Sequence, residues 1–124
     1  MDVTIFCSGI MVSEALEAEK ELAKEGISAE IINVHTVKPI DEETVINSVK
    51  KTKAAVTAEN HNIIGGLFSA VSEVLTKNFP APVEAIGVQD EFGQVGKMPY
   101  LKEIYKMTAE DIVKAVFKVL KRKK

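Results

Sequence analysis

Apolar residues fall along the chain in two alternating rhythms. Four short runs rich in β-branched side chains, 3–7, 29–34, 54–59 and 83–88, read as strands. Between them lie longer stretches whose apolar positions recur every three or four residues, the period of a helix with one buried face. The first run, Val3-Thr4-Ile5-Phe6-Cys7, is punctuated by Ser8-Gly9. A stripe of Val12, Ala15, Leu16, Leu22 and Ala23, interrupted by Glu19, predicts a helix ending at Gly26, where a left-handed cap belongs. After the second run, Asp41 stands at the N-cap of a helix that buries Val45, Ile46 and Val49. Ile40 before that cap and Val45 after it form a hydrophobic-staple pattern. The third run, Ala54 to Glu59, gives way to the polar Asn60-His61-Asn62. Gly65-Gly66 then opens a stripe of Leu67, Phe68, Ala70, Val71, Val74 and Leu75, which Pro80 and Pro82 end. Beyond the fourth run come a Gly-punctuated loop from Gln89 to Pro99 and a short helical segment around Leu101, Ile104 and Tyr105. The last helix opens at Thr108, with Asp111 in the capping-box position, and buries Ile112, Val113, Val116, Val119 and Leu120.

Strands alternating with helices of this length define βαβ units and a parallel sheet covered on both faces. Right-handed crossovers make this a small doubly wound, Rossmann-like α/β fold in three α/β/α layers, with strand order 2-1-3-4. No internal repeat, low-complexity tract or linker interrupts the chain. At 124 residues the expectation is a single domain, 1–124.

Composition narrows the partners. The chain is 46% hydrophobic, too apolar for a disordered protein, and its formal net charge of −2 argues against nucleic-acid binding. The only dense basic run, Lys121-Arg122-Lys123-Lys124, ends a helix whose dipole favours positive charge there. No apolar run reaches the roughly 20 residues of a membrane helix, and no signal-peptide pattern opens the chain. A lone cysteine, Cys7, excludes an internal disulfide and a Cys-rich zinc site. A cytoplasmic protein is expected.

Ligands of such sheets bind outside the carboxyl ends of the strands, where strand order reverses. That sets Ser8-Gly9 of the first loop opposite the loop from Asn60 to Gly66. Gly65-Gly66 at a helix start lets backbone amides approach an anion, although a tight strand-to-helix turn explains the pair more simply. Glu59 and His61 have the chemistry of an acid/base pair; the plainer reading is a hydrogen-bonded loop at an interface. His35 ends a strand, far in sequence from His61 and without metal-ligand spacing. Cys7 lacks the flanking groups of a catalytic thiol. Ser8, Gly9, Glu59, Asn60, His61, Gly65 and Gly66 are thus the interface or anion-binding candidates, with no catalytic or metal residue assigned.

The linear string carries a further signal. Asp2-Val3-Thr4-Ile5, Gly9, Glu14-Ala15-Leu16-Glu17-Ala18 and Val37-Lys38-Pro39-Ile40-Asp41 occur in order. So do Glu59-Asn60-His61 with Gly65-Gly66-Leu67-Phe68-Ser69-Ala70-Val71, and Ile86-Gly87-Val88 with Asp90, Phe92-Gly93 and Gly96. From residue 2 to 120 this string resembles the C-terminal domain shared by transketolase and its thiamine-diphosphate-dependent relatives, with their E-x-H…GGLGSAV and I-G-v-x-D-x-F-G-x-S-G stretches. Phe68 replaces a glycine of the first motif and Val95 a serine of the second, which weakens the case for phosphate binding by these loops. The Phe92-Gly93 tail and Glu110-Asp111-Ile112-Val113 lean towards transketolase, especially enzymes split over two polypeptides.

The resemblance implies an accessory domain of an enzyme that transfers a two-carbon ketol unit between sugar phosphates, supporting assembly and the substrate channel. It also implies that thiamine diphosphate and magnesium bind to other domains. The family's G-D-G…N motif and activating glutamate are absent here, so the isolated chain is expected to be inactive. The implied partners are the pyrimidine-binding and pyrophosphate-binding domains of the same enzyme, in a homodimer or larger assembly. The chain opens directly on a strand, as a separated piece of such an enzyme would. The alternatives are the equivalent domain of deoxyxylulose-phosphate synthase or of a 2-oxo-acid dehydrogenase beta chain, or an independent module binding an anionic ligand.

Overall fold

A computed structural model describes residues 1–9, 11–35, 40–62, 66–88 and 108–123, at 60–62 and 87–88 for the backbone only. The strands are β1 (Val3–Cys7), β2 (Ala29–Asn33), β3 (Ala55–Asn62) and β4 (Val83–Val88). The helices described are α1 (Met11–Lys24), α2 (Glu42–Thr52), α3 (Leu67–Asn78) and α4 (Ala109–Arg122). The strands form one parallel sheet in the order β2-β1-β3-β4, as the alternation of elements predicts. Its register runs Ile5↔Ile31 on one side of β1 and Ile5↔Val56 on the other.

Alternation along each strand sorts the side chains between two helical layers. Val3, Ile5 and Cys7 of β1, with Val56 and Ala58 of β3, pack against Ala15, Ala18 and Leu22 of α1 and Ile112, Val116 and Val119 of α4. Phe6 and Ala55 point the other way, into Val45 and Val49 of α2 and Leu67, Val71 and Leu75 of α3. Fully burying side chains such as Ile5, Phe6 or Leu75 contributes roughly 1.5–3 kcal/mol each. Both central strands are thereby covered on both faces, which is why β1 is buried over its whole length.

The helix ends follow their residues. Asp41 caps α2, its carboxylate accepting from the Thr44 amide at 3.1 Å. Ile40 and Val45 share the α2–α3 core, as the staple pattern requires. Gly26 takes φ +76°, the left-handed end of α1. At Thr108 both halves of the capping box with Asp111 are formed. The loop from Gln89 to Pro99 and the helical segment around Leu101, Ile104 and Tyr105 lie outside the described residues.

The third strand extends further than its apolar run. It continues through Asn60 and His61 to Asn62, which pairs with Val88 of β4. Ala58 pairs with Ile86, so four steps along β3 face two along β4, and the surplus is a bulge. These polar residues continue the strand by backbone pairing, which does not depend on an apolar side chain.

Candidate functional site

At the carboxyl edge of the sheet β1 turns into α1 through Ser8 and Gly9. The Ser8 amide donates to the Ala58 carbonyl of β3 at 3.1 Å, and the Ser8 carbonyl accepts from Met11 at 3.2 Å. Gly9 has φ +61°, a left-handed turn that favours glycine. Since Cys7 is in register with Ala58, this turn lies beside Glu59, at the reversal of strand order.

Glu59 is the most constrained polar group there. Its side chain is 1% exposed. One carboxylate oxygen accepts from the Leu67 amide at 2.7 Å and the other from the Phe68 amide at 3.2 Å. These are the first two residues of α3, where unpaired amides and the helix dipole favour negative charge. Gly66 is the N-cap residue and brings no side chain to the task, and the first turn of α3 holds no acid. A strand residue therefore supplies the negative charge this helix start would otherwise draw from an external anion or from a capping side chain of its own.

The structure thus brings together Ser8, Gly9, Glu59 and Gly66, with the backbone of Asn60 and His61 in the bulge. The side chains of Asn60 and His61, and Gly65 altogether, lie outside the described residues. With both carboxylate oxygens engaged by amides, Glu59 is held as a hydrogen-bond acceptor.

Cys7, one residue before the turn, is fully buried, and its sulfur lies 3.6 Å from the Ile32 carbonyl. Burial pushes the thiol up to about 11, far from the thiolate a nucleophile needs. His35 follows the end of β2 and lines a cavity of about 300 Å³ together with Ile32, Val34, Ile40, Asp41 and Thr44. Asp41, the carboxylate among the described lining residues, accepts from the Thr44 hydroxyl at 2.8 Å, and that bond with the Thr44 amide holds it below the usual carboxylate range. The residues lining this hollow were legible only as a strand end and a helix cap; no motif in the sequence marks the space between them.

Among the described residues no three of His, Cys, Asp and Glu converge as a metal ion would require. A pyrophosphate group finds no welcome at α3 either, since Glu59 already fills the helix start. The donor set described therefore does not fit thiamine diphosphate with magnesium. Among the same residues no helix is long and apolar enough to cross a membrane.

Sheet order, crossovers and strand-end crevice define the chain as a small doubly wound α/β domain. It belongs to the transketolase C-terminal domain family, whose profile matches residues 1–112. It is 57% identical to a 6-deoxy-6-sulfo-D-fructose transketolase subunit of a Clostridium species, over 98% of this chain and 38% of that subunit. It is 40% identical to the 1-deoxy-D-xylulose-5-phosphate synthase of Heliobacterium modesticaldum, over 91% of this chain and 18% of the synthase. Among solved structures, a split-gene transketolase described as an inactive beta4 tetramer superposes with a TM-score of 0.94 and 49% identity. That match covers 99% of this chain and 40% of the other. The chain thus spans about two fifths or less of these relatives.

Proposed function

We propose that the chain is one domain serving a transketolase-type transferase, an enzyme that moves a two-carbon ketol unit between sugar phosphates. In this reading it supports assembly and frames the substrate channel, while other domains hold thiamine diphosphate and magnesium and carry out the chemistry. Its partners are the pyrimidine-binding and pyrophosphate-binding parts of the same cytoplasmic enzyme, in a homodimer or larger assembly. The observation that carries the reading is Glu59: in a family member, the buried carboxylate that the described residues place at the strand-end crevice is engaged as the cap of α3. The name of the Clostridium relative widens the substrate class to sugars whose terminal anion is a sulfonate. The synthase match favours, as a second reading, the equivalent domain of a deoxyxylulose-phosphate synthase.

The bulge at Asn60, His61 and Asn62 is the proposed contact with a neighbouring domain or subunit. Its polar side chains offer donors and acceptors without a charged cluster, which suits recognition. The test is His61→Ala in the reconstituted enzyme, with thermal stability, subunit dissociation and turnover measured separately. Weakened assembly with stability nearly unchanged is expected. A thousandfold loss of turnover with assembly intact would make His61 catalytic and overturn the reading. Calorimetry of the chain alone with thiamine diphosphate and magnesium should show no heat of binding; micromolar affinity would equally refute it.

A further inference from the structure

We infer that Glu59 is a positioning residue for the Asn60-His61-Asn62 bulge, its carboxylate fastening the end of β3 to the start of α3. The inference rests on the proposed interface role of that bulge. The helix start has no capping side chain of its own, because its N-cap is Gly66. The strand loses its regular pairing with β4 immediately after Ala58, and recovers it at Asn62. Glu59 stands at the first of these points and grips the amides of Leu67 and Phe68, eight and nine residues further on. One buried side chain thus fixes both the departure of the bulge from the sheet and the place where the chain re-enters a helix. A bulge bends its strand and re-aims the side chains it carries, so a tie at its edge bears on where they are presented. Two charge-assisted bonds to backbone amides hold this one, and being buried they are screened little by salt. The carboxylate also completes an anion seat from within, so the helix start is closed to a ligand as long as Glu59 is present.

The experiment uses the assembled enzyme carrying Glu59→Ala, with Val71→Ala as a control. Val71 is fully buried on α3, so its truncation loosens the same helix without touching the cap. Relative to alanine, the group removed at Glu59 has the shape of acetate. Glu59→Ala is expected to weaken assembly at least tenfold more than Val71→Ala. Sodium acetate, compared with chloride at equal ionic strength, is expected to raise the thermal midpoint of Glu59→Ala and restore most of its assembly, with no effect on Val71→Ala. Glu59→Gln, which keeps one acceptor oxygen, should fall between Glu59→Ala and the unsubstituted enzyme, and it decides the same comparison if Glu59→Ala does not fold. Assembly lost only as far as in the control, or acetate that restores stability without assembly, overturns the inference. His61→Ala separates the two readings. If it weakens assembly while Glu59→Ala tracks the control, the interface stands and the positioning role fails; if neither variant affects assembly, both fail.

Discussion

The hydroxyl of Thr4, in the middle of the sheet, lies 2.7 Å from the hydroxyl of Ser48 on α2. It is also 2.8 Å from the Thr52 hydroxyl one turn along the same helix. Ser48 in turn donates to the Glu30 carboxylate on β2, and Lys51 reaches the other oxygen of that carboxylate at 3.0 Å. A polar chain therefore runs beneath α2 from the interior to the sheet edge, inside a layer otherwise held by apolar packing.

Thr4→Val keeps the shape of the side chain and removes its hydroxyl. Ser48 retains Glu30, and Thr52 retains the Ala54 carbonyl at 3.2 Å, so neither is left wholly unpaired. The expected loss is about 1–2 kcal/mol, read from the midpoint of urea unfolding. Combined with Ser48→Ala, it should be strongly non-additive, because the two residues act on one network. Simple addition would show that the contact contributes little.

Glu30 makes this chain sensitive to acid. The Ser48 hydroxyl first, then Lys51, hold its carboxyl below the ordinary glutamate value. A carboxyl depressed in the folded state adds stability that is fully present above its unfolded value and is lost as pH falls through the folded value. Thermal midpoints measured from neutrality down through the carboxylate range should therefore fall less steeply for Glu30→Gln than for the unsubstituted protein. Parallel curves would mean that the Ser48 and Lys51 contacts do not favour the charged form.

Much of this architecture was legible because period and punctuation agreed. The runs at 3–7 and 83–88 match β1 and β4 residue for residue, and Asp41, Gly26 and Thr108 mark helix ends by their own chemistry. Leu16 fits the apolar stripe, yet it is 45% exposed, off the side of α1 on which Ala15, Ala18 and Leu22 are buried. Lys53 ends α2 in the left-handed region, at φ 62°, where no glycine or asparagine announces it. The site was half legible. Gly65-Gly66 marks the start of α3 in the sequence, but nothing local says that Glu59 holds the first amides of that helix, since that bond joins residues on two different elements.

Thr57 sits between Ala55 and Glu59 on the same face of β3, opposite Phe6 of β1. Its hydroxyl is buried and has no hydrogen-bond partner among the described residues. An unsatisfied buried hydroxyl costs about 1–3 kcal/mol, and valine fills nearly the same volume without it. Thr57→Val should raise stability by about 1 kcal/mol, a rise in thermal midpoint of about 4 °C for a protein this size. A fall would show that the hydroxyl is hydrogen-bonded in solution.

Cys7 is expected to behave as a core residue in chemistry as well as in packing. It is fully buried, and burial lifts its thiol to about 11 from an ordinary value of 9.0. At pH 8 a thiol reagent should therefore modify it only through unfolding, at a rate that climbs with denaturant in step with the unfolded population. The same shift gives a second observable. The unfolded thiol ionises first as pH rises, so its contribution is intact below pH 9 and disappears as pH passes through 9 towards 11. Over that interval the unsubstituted protein should lose stability faster than Cys7→Ala, although the alanine variant starts lower because a small cavity replaces the sulfur. Modification within seconds at pH 8 without denaturant would show that the end of β1 opens to solvent in the native state, contradicting the tight junction among Cys7, Ser8 and Ala58.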